Sequence, residues 1–115
     1  MQSLNGISER IENSVSGATV NAWADAMDLD YRGVMTGAFV VENTDGANSL
    51  DYQVLEERAN YAGGTDEELQ ASFTLAFGEK GLVALQEAHS RIKIQVKSTV
   101  GGSHADYTVE YLINK

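Results

Sequence analysis

Three aspartates, Asp25, Asp28 and Asp30, lie within six residues of one another, and their hard carboxylate oxygens are the ligand type that calcium prefers. A calcium-binding helical hand also needs a glycine in the loop and a glutamate that closes it, and neither stands at the required spacing. We therefore predict the solvated end of a strand here rather than a metal site. The acidic run of residues 66–68 is likewise interpreted as a polar turn or the first turn of a short helix.

The sequence contains two histidines, His89 and His104, and no cysteine. His89 stands next to Ser90 and near Glu87, which are the residue types of a hydrolase triad, but no strained Gly-x-Ser-x-Gly turn accompanies them. His104 is predicted to face solvent. The lack of cysteine excludes thiol nucleophiles and thiolate zinc sites. We predict that the chain is not an enzyme, with no catalytic residue, no cofactor and no metal.

The charge balance disfavours two classes of partner. Seventeen acidic and eight basic residues give a net charge of −9, which repels nucleic acid phosphates and anionic membranes. No stretch approaches the roughly 20 apolar residues of a membrane span, and the N-terminal residues do not have the pattern of a secretory signal. The 115 residues suffice for one domain with its own core.

The N-terminal segment has the apolar spacing of a short helix. Leu4, Ile7, Ile11 and Val15 recur at steps of three and four residues, which predicts one apolar face of a helix over residues 3–17. So short a helix is marginal alone, so this face must dock on something. Either it closes the domain's own core, as a helix or as an extended arm, or it is an arm that binds a partner. We divide the chain into an arm, residues 1–18, and a β-sandwich domain, residues 19–115.

From residue 19 onward the apolar period changes to two, which predicts β-strands. The segments with this pattern are 19–29, 33–42, 50–61, 69–77 and 82–86, followed by one strand on each side of Gly101-Gly102. Residues 33–42 are almost all apolar or small and predict a central strand buried on both faces. About seven antiparallel strands without a long helix are typical of an immunoglobulin-like β-sandwich.

The strands around Gly101-Gly102 are predicted to form a hairpin. A two-residue turn pairs residues whose numbers sum to 203, which sets Lys97 against Asp106 and Lys93 against Glu110. The same register sets apolar residues against each other, in the pairs Val96 and Tyr107, Ile94 and Val109, and Ile92 and Tyr111. The basic face of Arg91, Lys93 and Lys97 is therefore predicted to be neutralised rather than to bind phosphate.

The aromatic residues allow two interpretations. Trp23 and the five tyrosines, Tyr31, Tyr52, Tyr61, Tyr107 and Tyr111, would form a stacking platform for sugars or bases if they were exposed together. Because several tyrosines fall on alternating strand positions, we favour core and cross-strand roles for them.

Three segments carry a resemblance to a known class of protein. They are the strand-loop-strand stretch of residues 37–52, the turn Leu75-Ala76-Phe77-Gly78-Glu79, and the strand Arg91-Ile92-Lys93-Ile94-Gln95-Val96-Lys97-Ser98. Over roughly residues 37–113 the chain resembles small β-sandwich structural proteins of tailed bacteriophages. Adhesion-type immunoglobulin-like domains share such turns but often carry proline where this chain has Phe77.

The resemblance implies a non-enzymatic virion protein, synthesised in the host cytoplasm, that decorates or cements the capsid as a homo-oligomer. Its partner would be the major capsid protein or another virion protein. The partner-binding residues would be the apolar face of the arm, Leu4, Ile7, Ile11 and Val15. The alternative is a β-sandwich module that binds carbohydrate or a receptor, which includes other virion positions such as neck, tail or head fibre.

Overall fold

The computed structural model of the chain describes residues 9–57, 66–85 and 91–115, and the side chains of residues 57 and 66–70 lie outside that description. Within these ranges the chain forms eight β-strands and no helix, hence no helix that could cross a membrane. The strands are β1 (Arg10–Ala18), β2 (Ala24–Asp30), β3 (Thr36–Asn43), β4 (Leu50–Glu57), β5 (Asp66–Leu75), β6 (Lys80–Leu85), β7 (Arg91–Ser98) and β8 (Asp106–Asn114).

The strands form two antiparallel sheets of four. Sheet A has the order β1-β8-β3-β6, and sheet B has the order β2-β7-β4-β5. Only the connection from β4 to β5 stays within one sheet, and each of the other connections crosses from one sheet to the other. This interleaved order is that of an eight-stranded jelly roll. The predicted all-β class is confirmed, whereas the immunoglobulin-like form with about seven strands is not confirmed.

The hairpin predicted at Gly101-Gly102 is wrong. Strand β7 pairs with β2 and β4 in sheet B, whereas β8 pairs with β1 and β3 in sheet A. Gly102 has the positive φ that was expected of a turn glycine, 83°, but the turn leads the chain across the sandwich. The charge pattern of β7 is satisfied by other strands, since Lys93 lies opposite Asp28 and Lys97 lies opposite Asp51.

The helix predicted over residues 3–17 is wrong in the part of it that the structure describes. Residues 10–18 form β1, which pairs with β8 along its whole length, from Arg10 opposite Asn114 to Ala18 opposite Asp106. Residues four apart share a face in a strand as well as in a helix, so the spacing of Ile11 and Val15 is compatible with both. The preceding positions Leu4 and Ile7 lie outside the described residues.

The two sheets bury one common core between their inner faces. On β3 and β7 buried and half-buried residues alternate, as expected for strands with one face inward. Fully buried side chains of sheet A, such as Phe39 and Val109, belong to the same cluster as Val54 and Ile94 of sheet B. Strand β3 is an inner strand, as predicted, although its outward face is only half-buried.

Two glycines make room for tyrosines inside the sandwich. Tyr31 is buried, donates its hydroxyl to the carbonyl of Leu85 at 3.2 Å, and lies where a side chain at Gly37 would have to stand. In the same way, Tyr52 of sheet B reaches across to Gly81 of sheet A. Burial raises the phenol pKa of Tyr31, Tyr52 and Tyr107.

Candidate interaction surface on sheet A

The outward face of sheet A carries a band of apolar side chains. Its register sets Leu112 opposite Ala38, Ala38 opposite Ala84, and Val40 opposite Leu82. We call Ala38, Val40, Leu82, Ala84 and Leu112 the outer stripe. Leu82 is 69% exposed, and the other members are exposed or half-buried. An outward sheet face normally carries polar residues, so a contiguous apolar band indicates a contact surface.

A groove of about 570 Å³ lies on this face of β1, β8 and β3. Its lining residues are Glu12, Asn13, Ser14, Ala38, Val40, Glu110, Tyr111 and Leu112. The lining thus joins part of the outer stripe to two carboxylates and contains no basic residue. The basic group beside it is Arg10, whose Nε lies 3.2 Å from Glu12 Oε1. The groove is suited to an extended segment that has apolar side chains and a positive charge.

The residues predicted to bind a partner occupy a different place. Ile11 and Val15 are half-buried and pack against the core from β1, which agrees with the interpretation that the segment closes its own domain. Leu4 and Ile7 fall outside the described ranges, so partner binding by this set stays a prediction. The outer stripe is not evident from the sequence, because only the order of the strands brings its members from β3, β6 and β8 together.

The three aspartates considered as calcium ligands lie on β2, and each has a donor from the chain. Asp25 accepts a hydrogen bond from Gln95 Nε2 at 2.8 Å, and Asp28 accepts one from Arg91 Nε. Asp30 binds the Arg32 guanidinium, which holds the pKa of that carboxyl well below its usual range. In the described part of the chain no group of three or more His, Cys, Asp or Glu side chains could hold a metal ion.

The basic residues of β7 do not form the predicted pairs with Asp106 and Glu110, because β8 lies in the other sheet. Arg91 forms an ion pair with Asp28 of the neighbouring strand β2. Lys97 places its Nζ 4.9 Å from the ring centroid of Trp23, which is within the range of a cation–π contact. These partners come from sheet B and from the loop before it.

His104 is exposed, as predicted, and its side chain belongs to a hydrogen-bond network that connects two loops. Its Nδ1 lies 2.9 Å from Ser98 Oγ, and the same oxygen lies 2.9 Å from Thr19 Oγ1. Thr19 Oγ1 in turn accepts the N–H of Ala105 at 2.8 Å. Ser98 is only 4% exposed, so this chain of bonds ties two connections together and does not present a nucleophile. His89 falls outside the described residues.

The loop between β3 and β4 is fixed by a second polar network. Asn43 is fully buried and donates Nδ2 to the carbonyls of Asn48 and Leu75, at 2.9 and 3.0 Å. Asp45 accepts the backbone N–H groups of Asn48, Ala47 and Asp106, which lower the pKa of its carboxyl. Both networks occupy the same end of the sandwich and are linked by a bond from Asn48 Nδ2 to the carbonyl of His104, at 2.8 Å.

The aromatic residues do not assemble into a platform in the described part of the structure. Tyr31, Tyr52 and Tyr107 belong to the core, as predicted, and Tyr61 lies outside the description. Trp23 is half-buried beside Lys97 of sheet B, whereas the Tyr111 ring of sheet A packs against the core, 6.3 Å from the ring of Phe39.

The sequence matches no family model and no curated protein. Several solved structures share the fold. The protein of Bacillus endospore appendages that form disulfide-linked pili is 9% identical, with a TM-score of 0.56 over 94% of this chain and 90% of that one. The SPBc2 prophage-derived protein YomS is 10% identical, with a TM-score of 0.54 over 97% and 98%. A mitogen from Yersinia pseudotuberculosis is 8% identical, with a TM-score of 0.56 over 90% and 86%. At these identities the likeness concerns the fold alone.

Proposed function

We propose that this chain is a non-enzymatic structural protein of a virus particle and, within that class, a decoration protein that binds the capsid shell. The observation that carries the proposal is the outer stripe, together with the groove beside it. Together they form an apolar surface with two carboxylates beside it, whereas polar residues on the outward face of sheet B, such as Gln53, Gln95 and Asp51, bond within the chain.

The apolar groups of this surface supply the driving force for binding. A fully buried aliphatic side chain contributes about 1.5–3 kcal/mol relative to an exposed one, so covering Leu82, Val40 and Leu112 would support a specific but modest contact. A decoration protein binds many equivalent positions of one shell, and contacts that are linked in this way gain avidity. A modest surface on a small domain is therefore sufficient for the function proposed.

Two proteins of the same fold add support from their descriptions. One is described as prophage-derived and another as forming pili. The same fold therefore occurs in a protein of prophage origin and in a protein that assembles into a fibre. The pilus protein is disulfide-linked, whereas this chain has no cysteine. In this chain, assembly would have to rest on non-covalent contacts.

We also assign partner binding to the N-terminal arm, residues 1–18, as an addition to the surface of sheet A. Ile11 and Val15 pack against their own core from an edge strand and are only half-buried, so a partner that covers this edge would complete their burial. Leu4 and Ile7 precede them with the same apolar character. The partner would be the major capsid protein or another protein of the virion, which this chain would join after its synthesis in the host cytoplasm.

The test uses particles from cells that carry the gene, purified on a density gradient and analysed by mass spectrometry. We expect this chain to be a stoichiometric component of the particles. Particles from a strain with the gene deleted are then mixed with purified protein, and co-sedimentation is measured. The Glu110→Lys variant should lose binding because it removes the net negative charge of the groove lining. Asp25→Lys on sheet B changes the net charge equally and should bind as the wild type does.

Absence of the chain from the particles would refute the virion assignment. Equal binding by both variants would refute the role of the groove while leaving the assignment to the virion in place. Removal of residues 1–8 tests the arm separately, since those residues precede β1, and unchanged binding would refute the arm's role.

A module that binds carbohydrate or a receptor is the second candidate, because the groove is lined by exposed hydrogen-bonding residues such as Glu12, Ser14 and Glu110. Polar groups of this kind can fix the orientation of a sugar by hydrogen bonds. Binding of the protein to a glycan array, abolished by Glu110→Ala, would favour this candidate. A silent array with wild-type protein would count against it.

A further inference from the structure

Each sheet of the sandwich ends in two edge strands, and these differ in how they are protected. In the described part of the chain the edges are β1 and β6 in sheet A, and β2 and β5 in sheet B. An edge strand presents unpaired N–H and C=O groups that can pair with another chain. Proteins block such edges with charges, bulges or side chains that cap the free groups. An edge without such devices is a candidate interface.

Three of the edges carry blocking features. On β1, the free N–H of Ser14 donates to Asn13 Oδ1 at 2.8 Å, so the middle of that edge is capped by its own side chain. Strand β2 has a register shift between Asp25 and Met27 and carries three aspartates. Strand β5 has two register shifts against β4. Each irregularity or charge disfavours pairing with a further strand.

Strand β6 has none of these features in the described structure. Its six residues pair with β3 in a regular register without a shift, and Lys80 is its only charged residue. The remaining residues are Gly81, Leu82, Val83, Ala84 and Leu85.

The hydrogen-bonding pattern shows which groups of β6 are free. The N–H of Asn43 donates to the carbonyl of Glu79, and in an antiparallel pair such bonded positions recur at every second residue. Gly81, Val83 and Leu85 therefore bond to β3. The N–H and C=O groups of Lys80, Leu82 and Ala84 point away from sheet A. Their side chains lie on its outward face, where Leu82 is 69% exposed.

We infer that two copies of this chain pair antiparallel along β6, so that sheet A of one copy continues into sheet A of the other across a two-fold axis. Side chains that face each other across an antiparallel pair lie on the same side of the sheet. The even-numbered residues of one β6 therefore face those of the other, and Leu82 lies beside Leu82 or Ala84 of the second copy. The pairing covers Leu82 and makes the outer stripe continuous across both copies.

Charge selects this edge over the others for self-association. Two chains of net charge −9 repel each other, and the repulsion is smallest where acidic side chains are fewest. Strand β6 carries one lysine and no acid, whereas β2 would bring three aspartates against three. The groove, formed by β1, β8 and β3, stays open in such a dimer. The dimer uses Leu82 of the outer stripe and leaves Val40, Leu112 and the groove available, so the capsid contact and the dimer can each fail alone.

The test measures the mass of the full-length protein by sedimentation equilibrium over increasing concentration. We expect the average mass to rise from the monomer value of 12.4 kDa toward twice that value. Ala84→Pro removes one free N–H of the edge and leaves the bonds between β6 and β3 intact, so this variant should remain monomeric. Ser14→Pro is the matched control, because it alters the other edge of sheet A at a free N–H that Asn13 already caps.

Dimerisation by the wild type and by Ser14→Pro, with loss in Ala84→Pro, supports the inference. Leu82→Lys covers the case in which the proline variant does not fold. It leaves the backbone unchanged, brings like charges together at the seam, and should weaken the dimer at least about tenfold. A wild-type protein that stays monomeric up to ~1 mM overturns the inference, as does a dimer that Leu82→Lys leaves unchanged.

Discussion

The outward faces of the two sheets share one alternating pattern and differ in what their side chains do. On sheet B, Gln53 Nε2 donates to Gln95 Oε1, and Gln95 Nε2 donates to Asp25, each at 2.8 Å. On the same face Asp51 accepts hydrogen bonds from Thr74 and Thr99. On sheet A the corresponding positions carry the outer stripe and the groove, whose side chains include apolar groups open to solvent.

The difference shows how one alternating pattern serves two purposes. A polar outward face whose groups bond to one another is complete within the chain, since each donor has an acceptor next to it. An apolar outward face is incomplete, because its burial requires another molecule. The character of the outward residues, rather than of the buried ones, therefore indicates which sheet is used for contact.

The largest effect is expected where the shared core is disturbed beneath sheet A. In Gly37→Ala, the added methyl group would meet the ring and hydroxyl of Tyr31, so we expect the free energy of unfolding to fall by about 1–3 kcal/mol. Urea denaturation measures the change. Gly46→Ala is the control, since no atom lies within 4 Å of its added group. Equal changes in the free energy of unfolding for the two substitutions would show that the tight contact at Gly37 does not affect stability.

A reciprocal exchange tests the two outward faces directly. Gln95→Leu removes both bonds of the amide ladder and should lower the free energy of unfolding by about 1 kcal/mol. Leu82→Gln on sheet A breaks no bond and should change it by less than about 0.5 kcal/mol. Both variants are compared by urea denaturation in dilute solution. Equal losses would contradict the distinction between a closed face and an open one.

The smallest effect concerns acid, and it arises at one end of β2. Because Arg32 lowers the pKa of Asp30 in the folded state, the stabilisation is present above the unfolded pKa of about 3.9. It is lost as the pH falls through the lower folded value. Asp30 is solvent-exposed, so the effect is screened. The urea midpoint, measured from pH 5 to pH 2, should fall less steeply in Asp30→Asn than in the wild type. In Arg32→Met, the pKa of the Asp30 carboxyl measured by NMR should return toward its ordinary value.

The sequence predicted local structure well and the pairing of strands poorly. Period-two alternation identified seven of the eight strands, because it reflects the pleat of each strand alone. It could not identify partners, since Lys93 and Lys97 find acids on β2 and β4 as readily as on β8. The residues of β7 and β8 complement each other in the register of a hairpin at Gly101-Gly102, yet the two strands lie in different sheets. Complementary alternation is common to all strands of a sandwich and therefore cannot specify which two are neighbours.

The remaining strand, β1, lies in the segment whose apolar spacing predicts a helix. The spacing of Ile11 and Val15 suits either structure, and the feature that favours a strand is the low helix propensity of Asn13, Ser14 and Gly17. The outer stripe could not be predicted from the sequence for a different reason. Its members come from three strands that are adjacent only through the order of the sheet, so no spacing along the chain marks them.

The position of β8 has a consequence for biosynthesis. It lies between β1 and β3 and bonds to both, although it is the last of the eight strands to be made. Sheet A cannot form completely until β8 has left the ribosome. Until then β1 and one edge of β3 lack their partner strand. The nascent chain is thus exposed to chaperones and proteases for longer than a chain built from successive hairpins would be. A stop codon before β8 should therefore give a degraded product rather than a smaller domain.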